Sequence, residues 1–230
     1  MRGSKNILNL FRSAIYRVKN KDNSFPIFGL ELILGAFGSG KTLTVVDRVY
    51  DYLDSFPDCR LVTNVEFKKL DKSKYYYTDN EYDFIHTLIN VLSIDNDKGC
   101  ICVIDEVKGF IPTCLASNEN DFQKAFFTIL SQVRKLHCLM IITSQLYSKV
   151  PKILRDYILQ NGNIVLCKKL VPGFTYYMYY DMSTIEETTN IKLKGKFKKF
   201  NYLFHSPELY QAYDSHAIVS GIKGLLKEGK

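Results

Sequence analysis

Several absences narrow the possibilities for this 230-residue sequence before any motif is considered. No stretch approaches the roughly 18 apolar residues that a membrane-crossing helix needs. The N-terminus also lacks the apolar core of a secretory signal. The expectation is a soluble, cytoplasmic chain. The six cysteines, Cys59, Cys100, Cys102, Cys114, Cys138 and Cys167, are scattered, and four fall inside apolar runs. That pattern suits buried free thiols in a reducing compartment. Cys100 and Cys102 would share one face of a strand, but no second Cys/His pair stands at metal-binding spacing. There are no internal repeats. No acidic residue occurs before Asp22, whereas Arg2, Lys5, Arg12, Arg17, Lys19 and Lys21 precede it.

Hydrophobic residues make up 46% of the chain, which excludes wholesale disorder. The length suits one α/β domain with a small appendage. A formal charge of +7 is compatible with a polyanionic partner without requiring one. Three regions are expected: a basic N-terminal segment (1–25), a core (26–172) and a C-terminal β-hairpin extension (173–230). In the first, Ile7, Leu8, Leu10, Phe11, Ala14, Ile15 and Val18 recur at helical spacing. Such a basic amphipathic helix suits a membrane surface, nucleic acid or the domain's own surface.

The core alternates strands and helices. Apolar strands are predicted at Leu30–Leu34, Cys100–Ile104, Leu139–Ser144 and Ile164–Cys167, and a β-branched one at Arg60–Phe67. Helices follow at Leu43–Leu53, from Thr78 to about Leu92, at Asn120–Lys135 and at Lys152–Leu159. Five strands alternating with helices imply a doubly wound, mainly parallel α/β sheet with helices on both faces. Lys68–Tyr77 is expected to be a surface loop, with Thr78 capping the next helix. Past Val171, Phe174–Tyr180 and Lys192–Tyr202 form a β appendage. As one strand, the latter would put Lys192, Lys194, Lys196 and Lys198 on a single face. Those lysines either protect an edge strand from aggregation or track phosphates, with tyrosines nearby to stack on bases.

Between the first strand and helix lies Gly35-Ala36-Phe37-Gly38-Ser39-Gly40-Lys41-Thr42, which matches G-x-x-x-x-G-K-[ST] in the required strand–loop–helix context. The loop and the residue after it, Gly35 to Leu43, are the expected contacts for ATP. The glycines let backbone N–H groups approach phosphate. Lys41 supplies a mobile charge for the β- and γ-phosphates, and Thr42 a hydroxyl for Mg²⁺. Farther on, Ile101-Cys102-Val103-Ile104-Asp105-Glu106 has the form of a Walker B strand. Asp105 is placed to hold Mg²⁺ and Glu106 to polarise the attacking water, which favours hydrolysis over phosphoryl transfer to a small acceptor. Gln145, closing the next strand, either senses the γ-phosphate or merely ends the strand. Arg134 and Arg155 are candidates to reach a neighbouring subunit's γ-phosphate, or are helix-terminal cations.

Together, Gly35–Thr42, Leu61–Val65, Val103–Glu106 and Ser131–Lys135 leading into Ile141–Gln145 resemble the additional-strand P-loop ATPases of the FtsK–HerA group. Within it, they are similar to the Zot (zonular occludens toxin) and filamentous-phage assembly ATPases. Lys152–Arg155 and Tyr213–His216 add weaker likeness. The resemblance implies a homo-oligomeric, ring-forming motor of phage or virus type that hydrolyses ATP to translocate or package DNA. It also implies a sensor role for Gln145 and a trans role for Arg134. Zot-type proteins carry a membrane-spanning segment after the ATPase domain, and no stretch here has that character. This difference favours a soluble genome-packaging ATPase in the host cytoplasm or virion. The alternative is an assembly and export ATPase peripheral to the inner membrane, docked to membrane or to a capsid or portal partner through residues 1–22. Arg134-Lys135 also departs from the Arg-His usual in the Zot branch.

Overall fold

The continuous apolar runs pair into a sheet in a computed structural model that describes residues 25–94, 98–107, 121–188 and 191–213. Strand β1 (Gly29–Leu34) lies between β5 (Cys138–Ser144) and β6 (Gly162–Val171), parallel to both. Beyond β5 come β4 (Cys100–Ile104), β2 (Arg60–Thr63) and β3 (Tyr75–Tyr77), all parallel. On the other side, β7 (Phe174–Tyr180) and β10 (Phe197–Phe204) add antiparallel. The order is β10-β7-β6-β1-β5-β4-β2-β3. Strands β8 (Glu186–Glu187) and β9 (Leu193–Lys194) pair separately. The strand expected of an additional-strand fold is β5, inserted between β1 and β4.

Helix α1 (Lys41–Ser55) covers one face, setting Leu43, Val46 and Val49 among Ile33, Ile101 and Ile141. Helices α2 (Glu81–Ile94), α3 (Asp121–Gln132) and α4 (Lys152–Asn161) cover the other. There Phe84, Leu88, Phe126, Leu130, Leu154 and Ile158 pack with Leu32, Ile104, Met140 and Ile142. The alternation Leu32/Ile33 sends neighbouring side chains into opposite cores, so a strand apolar on both sides is what two helical layers require. A short helix α5 (Pro207–Tyr210) closes the described chain beside α1. Among the described residues, no helix is long and apolar enough to cross a membrane. Residues 1–24, with the expected amphipathic helix, Cys114, and His216 with the rest of 214–230 lie outside the described residues.

Some local expectations are corrected. Tyr75–Tyr77 is a sixth parallel strand rather than loop, secured where the Tyr75 hydroxyl accepts from Phe67 N and donates to Val65 O. Helix α2 is capped by Asn80 instead of Thr78: Asn80 Oδ1 accepts from the backbone of Tyr82 and Asp83. The lysine strip is not one strand face. Lys194 belongs to β9, Lys196 lies in the turn, and a register shift separates Phe197 from Lys199. Within the apolar first strand, Glu31 is buried and meets Arg48 of α1 in a two-pronged ion pair. Burial pulls against the charge on Arg48, but the Glu31 carboxylate together with Tyr52 and Tyr179 more than offsets this, so its pKa is raised. The pair locks the helix that follows the glycine loop onto the strand that precedes it.

Candidate nucleoside triphosphate site

The C-terminal ends of β1, β4 and β5 form one edge of the sheet, and the sequence motifs meet there. The loop from Gly35 to Gly40 turns between β1 and α1, and Gly38 and Gly40 have φ of 70° and 91°. These left-handed values suit glycine. No side chain caps α1, so the first-turn N–H groups remain available to an anion. Lys41 is buried and its Nζ donates to the carbonyls of Gly35 (3.0 Å) and Ala36 (3.3 Å). The buried Ser39 Oγ has no hydrogen-bond partner among the described residues. A glycine loop leading into an uncapped helix start, with a folded-in ammonium and an unpaired buried hydroxyl, fits a phosphate chain. Phe37 is an exposed tip, and the side chain of Leu43 belongs to the core, leaving only its backbone to a ligand.

Asp105 follows the last residue of β4. Its Oδ2 accepts from Thr42 Oγ1 at 3.0 Å, and its Oδ1 accepts from Thr143 Oγ1 at 2.6 Å. Thr143 Oγ1 accepts in turn from the backbone N–H of Glu106. A hydroxyl and a carboxylate side by side are hard oxygen ligands of the kind Mg²⁺ uses when phosphates and water complete its shell. Glu106 itself has φ 55°, a left-handed value in a non-glycine residue. Such backbone costs on the order of 1–3 kcal/mol and clusters at functional positions.

Gln145 follows β5, the strand between the two motifs, and Lys149 Nζ donates to its Oε1 at 3.1 Å. It therefore lies on the motif edge of the sheet. Arg134 lies at the other end, before β5 begins, with its guanidinium 5.4 Å from the ring centre of Phe28, which precedes β1. The length of β1, about 20 Å at ~3.3 Å per residue, separates it from its own loop. Within its own chain Arg134 is remote from the glycine loop. Arg155 is the second candidate for reaching a neighbour. Its side chain is 8% exposed, ion-paired with Glu187 and packed over the Tyr147 ring. That guanidinium is engaged inside its own chain.

Asn64 is a site residue that motif reading passed over. Its Nδ2 donates to Asp105 O at 2.9 Å, and its Oδ1 accepts from Asp105 N at 2.7 Å. This clamp ends β2 early and fixes the backbone of the Walker B aspartate from the neighbouring strand. In the sequence Asn64 falls within the predicted strand Arg60–Phe67 and the family-like stretch Leu61–Val65, with no role of its own assigned. The described cysteines Cys59, Cys100, Cys102, Cys138 and Cys167 are all buried thiols. Burial pushes Cys167 up to about 11 and raises Cys59 and Cys102 as well, which keeps these sulfurs protonated and unreactive.

The same fold occurs in the N-terminal domain of zonular occludens toxin from Neisseria meningitidis. It has 14% identity and a TM-score of 0.52, with 81% of this chain and 98% of that chain covered. The ATPase domain of G40P matches at 10% identity and TM-score 0.51, covering 88% and 96%. The genome packaging NTPase B204 of Sulfolobus turreted icosahedral virus 2, in complex with sulfate, matches at 12% and 0.50, covering 77% and 98%. No curated protein matches the sequence. The sequence profile of the zonular occludens toxin (Zot) family matches residues 30–217, so the chain belongs to the Zot family and carries its P-loop domain.

Proposed function

We propose that this chain is a Mg²⁺-dependent ATPase of phage or virus type that works in a homo-oligomeric ring to translocate or package DNA. The observation that carries the reading is the Thr42–Asp105 contact, with Glu106 as the next residue. Backbone N–H groups of Gly38 to Leu43 and the Lys41 ammonium bind the triphosphate. Thr42 and Asp105 would hold Mg²⁺, which when bound would supply charge neutralisation at the β- and γ-phosphates. Asn64 and Thr143 fix Asp105, so the metal-binding oxygen is placed before substrate arrives. Glu106 orients the attacking water and takes up its proton. Gln145 reports the presence of the γ-phosphate, and Arg134 serves the neighbouring subunit's site. Arg155, already committed to Glu187, is left out of the catalytic set.

DNA is supported by two things: the names of the structural relatives, one a genome packaging NTPase, and the C-terminal ribbon β6–β7–β10. No acid occurs from Leu166 to Tyr180 or from Ile191 to Pro207, and these stretches contain seven lysines: Lys168, Lys169, Lys192, Lys194, Lys196, Lys198 and Lys199. On one face of β10 the rings of Phe200, Tyr202 and Phe204 are exposed, with Phe174 packed beside the last two. Lysines for phosphates and open rings for bases are the elements of a single-strand contact. Membership of the Zot family supports a second reading, in which residues 1–22 dock the ATPase to a membrane or a capsid or portal partner for virion assembly.

Phosphate release from Mg-ATP, measured with single-stranded DNA, double-stranded DNA or anionic vesicles, decides between them. The DNA motor requires stimulation by DNA. Turnover that ignores DNA and rises with vesicles overturns it in favour of membrane-docked assembly.

A further inference from the structure

The phosphate loop has a support outside its own motif. Thr175 of β7 is fully buried, and its Oγ1 lies 3.0 Å from the carbonyl oxygen of Ser39. The same hydroxyl is 2.9 Å from His205 Nε2, and His205 Nδ1 is 2.7 Å from the Tyr210 hydroxyl. The direction of each bond follows by elimination. A carbonyl only accepts, so Thr175 donates to Ser39. Its oxygen then accepts from His205 Nε2–H, and in that neutral tautomer Nδ1 accepts from Tyr210.

The fit is steric as well as polar. A Cβ placed on Gly40 would come within 2.2 Å of Thr175 Oγ1 and 3.1 Å of Thr175 Cβ. At the other end of the loop, a Cβ on Gly35 would meet the Cys167 carbonyl of β6 at 2.7 Å. The first and last glycines of the motif are thus pressed onto β6 and β7, two strands of the ribbon. The peptide joining Ser39 to Gly40 is planar, so its C=O and N–H point in opposite directions. Drawing the Ser39 carbonyl toward β7 turns the Gly40 N–H the other way. Glycine at 40 supplies no Cβ to resist rotation of that peptide, so an external bond has to fix it.

We propose that Thr175 is a positioning residue for nucleotide binding. By holding the Ser39 carbonyl, it aims the loop's N–H donors at the phosphates, and the His205–Tyr210 pair keeps its hydroxyl in the donating orientation. The inference rests on the reading that the loop binds a nucleoside triphosphate, and it gives the ribbon a part in that site.

Titration of a fluorescent ATP analogue with Mg²⁺ into wild type, Thr175→Val, Thr175→Ser and His205→Gln tests it. Thr175→Val keeps the shape and removes the donor. Its dissociation constant rises about tenfold, the effect of leaving one buried acceptor unpaired, while kcat at saturation stays within about threefold because the bond precedes the transition state. Thr175→Ser restores the hydroxyl and binds within about twofold of wild type. His205→Gln, which keeps an N–H donor, falls between them. Unchanged affinity in Thr175→Val overturns the proposal. Equal weakening in Thr175→Ser also overturns it, since packing would then explain the effect. If Thr175→Val fails to fold, ¹⁵N NMR of His205 in the wild type replaces it: protonated Nε2 with bare Nδ1 supports the chain, and the opposite tautomer overturns it. Wild type that binds no nucleotide sinks the parent reading, a failure visible before any substitution is made.

Discussion

The parallel core and the antiparallel ribbon are built from strands of one sheet, yet they treat side chains in opposite ways. Every residue of β4 and β5 is buried, whereas β10 buries Leu203 and leaves Phe200, Tyr202 and Phe204 open. Helices on both faces consume the core's apolar surface, so its chemistry is confined to polar residues at one edge of the sheet: Thr42 at the start of α1, and Asp105, Thr143 and Gln145 where strands end. Among the described residues the ribbon has no comparable cover over its aromatic face, and Lys168, Lys169, Lys198 and Lys199 lie along its strands. On the proposed reading, the nucleotide belongs to one region and DNA to the other. Thr175 is where they touch.

The largest effect is expected across subunits. Arg134→Ala lowers turnover about 10³-fold in an assembled ring, although Arg134 is remote from its own loop. Mixing Arg134→Ala with Lys41→Ala subunits restores part of the activity, because each repairs a different half of a shared site; no rescue on mixing breaks the trans assignment. Next, Asn64→Ala removes both bonds to the Asp105 backbone. It costs about 1–3 kcal/mol of stability, read by denaturant unfolding, and lowers kcat more than ATP affinity. The ribbon responds otherwise. Tyr202→Ala or Phe204→Ala weakens single-stranded DNA binding about tenfold, with melting temperature and DNA-free turnover nearly unchanged. Loss of stability instead would make those rings core and collapse the comparison.

The smallest effect is one of pH. Burial, with some help from Lys169, holds His205 below its ordinary pKa of 6.5. Well above pH 6.5 the ring is neutral folded and unfolded, and contributes nothing to pH dependence. As pH falls below 6.5 the unfolded chain takes the proton first, so stability declines until the folded ring also titrates. Melting curves of wild type and His205→Gln therefore diverge below pH 6.5, with the variant losing less on acidification.

What the sequence made legible was whatever local pattern dictates. Continuous apolar runs announced buried parallel strands, and Gly35–Thr42 and Asp105-Glu106 announced a phosphate loop and an acid pair at strand ends. The remainder depends on contacts between residues far apart in the chain. Tyr75–Tyr77 reads as loop because a three-residue strand has no periodicity, and its place is set by β2. Asn64 and Thr175 are ordinary polar residues until the strand order sets them against Asp105 and Ser39. Arg155 reads as either a candidate for a neighbour's γ-phosphate or a helix-terminal cation, and its pairing with Glu187, on a hairpin far downstream, is not visible in the sequence. The lysine strip failed for a local reason: the turn at Gly195-Lys196 and the register shift after Phe197 break the period of two on which a shared face depends.

The most direct test of the central claim, that the strand ends of the core form a hydrolytic Mg-ATP site, compares ATP affinity and steady-state phosphate release in wild type, Lys41→Ala and Glu106→Gln. Glu106→Gln should bind ATP as wild type does while turnover falls by about 10²-fold or more, and Lys41→Ala should lose both. A Glu106→Gln chain that hydrolyses ATP at the wild-type rate would contradict the assignment of the catalytic base, and a wild-type chain that binds no ATP would contradict the site.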